Sequence, residues 1–201
     1  MKILCLYNNE CAIELFQWIQ EQGHETILYT EKLNTSWCRE QQFDLTVSYT
    51  YRYIVMQDIL QALNHNVVNI HNSYLPWNRG ADPNVWSIVD DTPRGVTLHY
   101  MDTGLDKGSI IAQRLVGRET GETLRSSYEK LDKTAKELFQ EAFAYYKDWS
   151  QMKKLPLDKG TYHSLRDGIA VKSIIDTYDL TIVEFKERLK RVLNMEREEK
   201  L

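Results

Sequence analysis

Hydrophobic and polar positions alternate along the first seventy residues in a way that predicts strands separated by helices. Four short apolar runs have the length of buried strands, at residues 2–7, 24–30, 44–49 and 67–70. Helical spacing of three and four appears after the first run, in Ala12, Leu15, Phe16 and Ile19. Shorter helices fit residues 34–42 and 56–63. This β-α-β order predicts a parallel, doubly wound sheet with right-handed crossovers.

The pattern changes after Gly80. A short helix is predicted over residues 86–89, and Pro93 and Gly95 mark a turn. Strands at 96–100 and 110–116 are separated only by a short glycine-rich segment, which predicts an antiparallel addition to the sheet. The longest helical periodicity runs from residue 124 to residue 149 and predicts a helix that packs one face on the sheet.

The helical pattern breaks at Lys153-Lys154-Leu155-Pro156, so we place a boundary near Ser150. The prediction is a main domain of residues 1–150 and a short C-terminal helical extension of residues 151–201, which is too small for an independent core. Thr181 and Glu184 form a capping box at the start of a final helix. The predicted fold class is therefore α/β, Rossmann-like, with a mostly parallel twisted sheet flanked by helices.

Composition narrows the class of protein. The 201 residues are 42% hydrophobic and 27% charged, as in an ordinary soluble domain, and the net charge of -4 argues against a nucleic-acid partner. Three cysteines without close pairing favour a reducing compartment. The sequence has neither a membrane-length apolar run nor a secretory leader pattern, so we expect a cytoplasmic protein without a membrane partner.

Asn69 and His71 are the first candidates for chemistry. Residues i and i+2 of a strand share a face, and ligands of open α/β sheets bind beyond the carboxyl ends of the strands. An amide can hold an oxyanion and an imidazole can move a proton near neutral pH. The alternative is a hydrogen-bonded structural histidine with Asn69 capping a turn.

Two loops carry further candidates. The segment 102–108 contains Asp102 and Asp106, although a solvent-exposed hairpin loop has the same composition. It lacks the alternating carboxylates and distal Glu of a calcium loop, so we predict no metal site. The loop after His71 places Trp77 and Arg79 where they could stack on a ring and bind phosphate, or simply pack with a salt bridge.

Taken together, these motifs resemble the folate-dependent formyltransferases. The resemblance is strongest over residues 67–113 and rests on five motifs in register: Asn69-Ile70-His71, Ser73-Tyr74-Leu75-Pro76, Arg79-Gly80, Gly95-Val96-Thr97 and Asp102-x-Gly104-x-Asp106-x-Gly108. Residues 74–84 and Gly160-Thr161-Tyr162-His163 look most like the nucleotide-sugar N-formyltransferases of bacterial surface polysaccharide (lipopolysaccharide) synthesis.

The resemblance implies a catalytic trio and a reaction. Asn69, His71 and Asp106 match the family's catalytic asparagine, histidine and aspartate. The turn at residues 90–94 is one residue shorter than is usual in the family, which leaves Asp102 as the alternative carboxylate. The implied reaction transfers a formyl group from the co-substrate 10-formyltetrahydrofolate to an amine, without a metal.

The resemblance also implies the ligands and the assembly. The expected acceptor is a dTDP- or UDP-linked 4-amino-4,6-dideoxy sugar, and the expected protein is a homodimer. The folate would contact Tyr51, Arg52, Ile54 and Asp102. The nucleotide sugar would contact Trp77, Arg79 and Tyr162.

Four other functions are less favoured. A glycinamide ribonucleotide formyltransferase carries a glycine-rich loop after the first strand, and residues 7–11 contain no glycine. The methionyl-tRNA enzyme has a large basic C-terminal domain, whereas only about fifty residues follow Ser150 here. A nicotinamide-binding protein would need a Gly-x-Gly-x-x-Gly turn. A non-catalytic folate or nucleotide-sugar binding module remains an alternative.

Overall fold

A six-stranded sheet forms the centre of the protein, of which the computed structural model describes residues 1–151 and 160–198. The strands in chain order are β1 (Lys2–Leu6), β2 (Glu25–Tyr29), β3 (Leu45–Tyr49), β4 (Val67–His71), β5 (Arg79–Gly80), β6 (Gly95–Tyr100), β7 (Ile110–Leu115) and β8 (Tyr162–His163). The large sheet has the order β2-β1-β3-β4-β6-β7, in which β2, β1, β3 and β4 are parallel and β6 and β7 are antiparallel additions. The predicted fold class is confirmed.

Helices cover both faces of this sheet. They are α1 (Ile13–Glu21), α2 (Thr35–Gln41), α3 (Gln57–Ala62), α4 (Pro83–Val89), α5 (Leu124–Phe143), α6 (Gly168–Ser173) and α7 (Ile182–Glu198). The longest ends earlier than predicted, because a separate 3-10 helix at Tyr146–Gln151 follows it and buries Trp149. In the parts of the chain that the structure describes, no helix is long and apolar enough to cross a membrane.

The two faces of β4 belong to different layers of the molecule. Val68 and Ile70 pack with α1 and α5 in the larger core, whereas Val67 packs with residues of α2 and α3 in the second core. Because side chains alternate along a strand, Asn69 and His71 share the face of Val67. The candidate chemistry therefore lies at the carboxyl end of β4, on the sheet face opposite α5.

The C-terminal segment packs on the main domain. A third core cluster joins α4 and the start of α5 to the segment after residue 160, through Val85, Trp86, Ile88, Leu124, Val171, Leu180 and Phe185. The capping box is present, since Thr181 N donates to Glu184 and Glu184 N donates to Thr181 Oγ1. The sequence did not predict β5, β8 or α6. The break at Lys153–Pro156 lies outside the described residues.

Candidate active site

His71 and Asp106 meet although thirty-five positions separate them. The distance from His71 Nε2 to Asp106 Oδ2 is 3.6 Å, and both side chains are only 9% exposed. Asp106 has a positive φ of 52°, so the chain turns there and the carboxylate faces back towards β4. Gly80 N also donates to Asp106 Oδ2 at 2.8 Å. A carboxylate and an imidazole are thus held together in a nearly dry site.

Asn69 is linked to the His71–Asp106 pair by His99, a residue that the sequence did not predict. The two residues are directly opposite in the β4–β6 ladder, and Asn69 Nδ2 lies 3.3 Å from His99 Nε2. His99 Nδ1 lies 2.8 Å from the carbonyl oxygen of Tyr100, which can only accept, so Nδ1 carries the proton. In neutral His99, Nε2 therefore accepts from the Asn69 amide. One amide hydrogen of Asn69 is fixed, and the other has no partner among residues 1–151 and 160–198.

Burial keeps His99 in this neutral form. Its side chain is 1% exposed, and burial lowers the pKa of His99 below its ordinary value of 6.5. The negative charge of Asp106, whose Oδ1 lies 3.7 Å from His99 Nε2, opposes that shift, and the neighbouring His71 reinforces it. Asp106 consequently has one histidine at each carboxylate oxygen. The site is a group of four side chains rather than the predicted three.

A second acceptor fixes the ring of His71. His71 Nε2 lies 3.1 Å from the backbone oxygen of Asn78, so Nε2 carries a proton in the neutral ring. The other ring nitrogen, Nδ1, has no hydrogen-bond partner within residues 1–151 and 160–198. His71 accordingly has one nitrogen held by the protein and one available to take a proton.

Thr97 and Gln113 support the loop between β4 and β5. The fully buried Thr97 hydroxyl accepts from Leu75 N at 3.1 Å and donates to the carbonyl of Ser73 at 2.7 Å. Gln113 Nε2 donates to the Leu75 carbonyl at 2.8 Å. These contacts attach the loop to β6 and β7. They fix the position of the backbone from which the following residues extend.

The residues predicted to bind folate lie on two loops. Arg52 N donates to Asn8 Oδ1 at 2.9 Å, and the Tyr51 hydroxyl donates to the Glu31 carbonyl at 2.5 Å, which fixes the backbone after β3. Ile54 stays 68% exposed and offers an apolar surface. Burial raises the pKa of the Tyr51 hydroxyl to about 12, so it remains a neutral donor.

Asp102, the alternative carboxylate, has a different environment from Asp106. It is exposed, and its Oδ1 accepts from Gly104 N at 2.8 Å, which caps its own loop. The structure brings Asp106, not Asp102, within 4 Å of His71. Within the described residues, no group of three or more His, Cys, Asp or Glu side chains has an arrangement suited to a metal ion.

The residues predicted to bind the nucleotide sugar lie around β5. Arg79 pairs in register with Tyr162 of β8, whose side chain is 51% exposed. The Arg79 Nε atom is buried without a hydrogen-bond partner, and no carboxylate in the described part of the chain lies within 4.0 Å of its guanidinium group. Trp77 is half-buried, and its backbone N donates to the Tyr74 carbonyl.

The known proteins that this chain resembles include formyltransferases. The family model described as "Formyl transferase" matches residues 12–143, more than half of the chain. A dTDP-4-amino-4,6-dideoxyglucose formyltransferase of Mycobacterium bovis is 33% identical over 127 residues, covering 63% of this chain and 53% of that protein. A methionyl-tRNA formyltransferase of Myxococcus xanthus is 38% identical over 104 residues, which are 51% of this chain and 33% of that one. The chain thus matches about half or less of the length of these curated relatives.

One solved structure is similar to this chain over nearly the whole length of both chains. It is the formyltransferase PseJ from Anoxybacillus kamchatkensis, in complex with UDP-4,6-dideoxy-4-formamido-L-AltNAc and tetrahydrofolate. The TM-score is 0.81 at 36% identity, and the alignment covers 92% of this chain and 97% of the PseJ chain. With the family model covering both β4 and the loop that carries Asp106, the chain belongs to the formyl transferase family.

Proposed function

We propose that the protein transfers a formyl group from 10-formyltetrahydrofolate to the amine of a nucleotide-linked 4-amino-4,6-dideoxy sugar. The observation that carries the proposal is the convergence of Asn69, His71 and Asp106 in a chain that aligns over 92% of its length with PseJ. Because the PseJ structure holds a UDP-linked 4-formamido sugar, a UDP-linked 4-amino sugar is the first acceptor to test.

The reaction replaces one carbon–nitrogen bond with another. The neutral amine of the sugar attacks the formyl carbon, and the tetrahedral intermediate carries the charge on the former carbonyl oxygen. Asn69 donates its unfixed amide hydrogen to that oxyanion, and loss of such a donor typically costs about 3–4 kcal/mol. The bond from the formyl carbon to N10 of the folate then breaks, which leaves a formamide and tetrahydrofolate.

One proton must move from the attacking amine to N10. His71 is suited to carry it, because Nε2 is held by Asn78 and Nδ1 is available in the neutral ring. The nearby charge of Asp106 stabilises the imidazolium that forms in transit. His71 then returns the proton to the leaving nitrogen, so the protein is regenerated without a metal or an external base.

The loops after β3 and β6 fit a folate. The backbone between Thr50 and Tyr53 is anchored to the loop after β1, since Asn9 N donates to Thr50 Oγ1 at 3.1 Å and Asn8 accepts from Arg52 N. The exposed side chains of Ile54 and Met56 provide apolar surface for an aromatic ring system. Asp102, in the loop after β6, would contact the same co-substrate.

Arg79 fits the pyrophosphate of a nucleotide sugar. A partly buried guanidinium that lacks a carboxylate partner among the described residues favours an anionic ligand, and its planar fork matches phosphate oxygens. Tyr162, opposite Arg79 in the β5–β8 ladder, has an exposed ring for the base or sugar. Trp77 would border the same ligand.

A panel assay tests the proposed function. Purified protein and 10-formyltetrahydrofolate are incubated separately with UDP- and dTDP-linked 4-amino and 3-amino sugars and with glycinamide ribonucleotide, and each product is analysed by mass spectrometry for addition of CO. We expect turnover of a 4-amino nucleotide sugar and none of glycinamide ribonucleotide. Turnover of glycinamide ribonucleotide alone would replace the proposed acceptor. Binding of folate without turnover of any amine would favour a non-catalytic binding module.

Arg79→Lys and Arg114→Lys form a matched pair for the pyrophosphate assignment. Arg114 already pairs with Glu137 and Glu141 on the surface of β7 and α5, so its replacement should leave the kinetics unchanged. We expect Arg79→Lys to raise KM for the nucleotide sugar about tenfold, since the bidentate fork is lost. Equal KM values for the two variants would contradict the assignment.

A further inference from the structure

The chain at residues 78–80, directly before and within strand β5, supplies a backbone group to each member of the His–Asp pair. The carbonyl of Asn78 accepts from His71 Nε2 at 3.1 Å, and the N–H of Gly80 donates to Asp106 Oδ2 at 2.8 Å. Both contacts come from the main chain, so exchanging a side chain at residues 78–80 does not remove them directly, except that a proline at position 80 would lack the N–H. Their geometry depends on how the backbone of these residues is held.

Thr161, the residue directly before strand β8 in the C-terminal segment, holds that backbone from its other edge. Arg79 N donates to the carbonyl of Thr161 at 3.1 Å. In a trans peptide the C=O and the N–H point in opposite directions. The single peptide between Asn78 and Arg79 therefore directs its N–H to Thr161 and its C=O to His71. A shift of β8 would turn this peptide plane and change the acceptor that fixes the imidazole.

The side chain of Thr161 adds a second attachment at the same residue, Asn78. Its Oγ1 accepts from Asn78 N at 2.8 Å and donates to Asn78 Oδ1 at 3.0 Å. Asn78 is 1% exposed and has a φ of 54°, a conformation that favours Asn over most residues. Its Nδ2 donates to Thr92 Oγ1, so every polar atom of this side chain is committed.

Two glycines allow the segments around β5 and β8 to approach each other closely. A Cβ atom on Gly160 would lie 2.0 Å from the Pro76 carbonyl oxygen, and one on Gly80 would lie 2.2 Å from the His163 carbonyl oxygen. Gly80 also has a φ of +90°, which side-chain-bearing residues rarely adopt. The close packing leaves the segment 78–81 little freedom to move relative to β8.

We propose that Thr161 is a positioning residue, and that the C-terminal strand β8 completes the active site by orienting the peptides that hold His71 and Asp106. The kinetic test of this inference rests on the proposed function, because it measures formyl transfer. The orientation of the His71 ring can be measured without turnover. The site would then depend on two parts of the chain that are distant in sequence.

Kinetics of Thr161→Val and Thr161→Ser provide the first test. Valine keeps the shape and removes the hydroxyl, while serine retains it. We expect Thr161→Val to lower kcat about tenfold to hundredfold with KM for both substrates within about twofold, as for a misplaced catalytic group. Thr161→Ser should restore most of kcat. The matched control is Thr177→Val, because Thr177 is exposed and, among the residues that the structure describes, its hydroxyl hydrogen-bonds only to the nearby Asp179.

The ring nitrogens of His71 provide the second test, in the protein without substrates. Nitrogen-15 NMR at a fixed pH should show the tautomer with the proton on Nε2 in the wild type and in Thr177→Val. We expect Thr161→Val to show a mixture of tautomers. Wild-type kcat in Thr161→Val, or a reduced kcat with an unchanged His71 tautomer, would overturn the proposal. If Thr161→Val fails to fold, Thr161→Ala removes the same hydroxyl and takes its place.

The kinetic and NMR measurements distinguish failure of the proposed function from failure of the positioning role of Thr161. If the wild type formylates none of the amines in the panel, the proposed function fails. The NMR comparison of Thr161→Val with Thr177→Val then still decides whether β8 positions His71.

Discussion

Asp106 lies between two histidines whose ring nitrogens have different hydrogen-bond partners. His71 has a nitrogen without a partner in the described structure and is suited to carry a proton, whereas both nitrogens of His99 are committed to Tyr100 and Asn69. Burial disfavours a charge on His99, so on the proposed mechanism the carboxylate of Asp106 would balance a charge on His71. The two side chains are chemically identical, and their hydrogen bonds determine which of them has a ring nitrogen available.

Asp106→Asn should lower kcat by at least about hundredfold, because the amide removes the charge that balances the imidazolium. Its matched control is Asp102→Asn, which changes an exposed side chain that caps its own loop. Steady-state kinetics of both variants, with circular dichroism to verify folding, measure the effect. The reverse order of activities would assign the catalytic carboxylate to Asp102.

His99→Leu should lower kcat about tenfold while leaving the KM for either substrate nearly unchanged. Leucine removes the acceptor that fixes the Asn69 amide, and a mobile donor stabilises an oxyanion less well. His99→Gln keeps a side-chain acceptor and should retain more activity. Equal activity in the Leu and Gln variants would show that Asn69 does not need this partner.

His99 should also make the stability of the protein depend on pH. Its pKa is lowered in the folded state, so below about pH 6.5 the unfolded chain binds a proton that the folded chain does not. The free energy of unfolding should therefore fall as the pH falls below 6.5, by at most about 1.4 kcal/mol per pH unit from this group. Urea unfolding between pH 5.5 and 7.5 should show a smaller decrease for His99→Gln. Identical pH profiles would contradict the prediction.

Sequence alone predicted Asn69, His71 and Asp106 from strand alternation and motif context, and their catalytic roles remain predictions. His99 was missed because it occupies one ordinary position in a predicted strand. Its importance arises from the register that sets it opposite Asn69, and this register depends on the whole β4–β6 pairing. A histidine within a mostly apolar predicted strand was the one available indication.

At the scale of the elements, a buried ion pair joins the large sheet to the start of α5. Arg94, before β6, contacts both carboxylate oxygens of Glu122 at 2.9 and 3.0 Å, and also donates to Ser127 of α5. Both charged side chains are at most 5% exposed. Such a pair is costly to break, because removal of one partner leaves the other charge buried.

Glu122→Gln should reduce the free energy of unfolding by about 3–5 kcal/mol. Glu119→Gln is the matched control in the same turn, since Glu119 is exposed and pairs with Lys130 on the surface. That control should leave stability nearly unchanged. Denaturant unfolding of both variants gives the comparison, and a similar stability for the two would show that the buried pair contributes little.

The large elements were predictable because their patterns are long enough to be periodic. Residues 124–143 repeat the helical spacing over several turns, and the strands β1, β3 and β4 are five-residue segments that are mostly apolar or buried. Strands β5 and β8 contain two residues each, which is too short for any periodicity. Their pairing depends on the close approach at Gly80 and Gly160, and that approach exists only in the folded chain.

At the scale of the whole molecule, the predicted homodimer remains a prediction. Leu165 and Ile169 of the C-terminal segment are 73% and 67% exposed, and apolar side chains on a surface favour an interface. We expect sedimentation equilibrium to give about twice the chain mass of 23.7 kDa. Leu165→Lys combined with Ile169→Lys should shift the protein towards monomer, whereas Leu115→Lys on β7 should not. A monomeric wild type would contradict the prediction.

The pairing of β5 with β8 also has a consequence for the order in which the protein matures. Asn78 and Thr161 are 83 residues apart, and a ribosome adds about 5–20 residues per second, so several seconds of synthesis separate them. The parallel strands β1 to β4 can be made and can begin to pair in that interval. On the proposed role of β8, a nascent chain would hold its catalytic side chains well before it could use them. Catalytic competence would then arrive as a late event in biosynthesis, after most of the molecule has already folded.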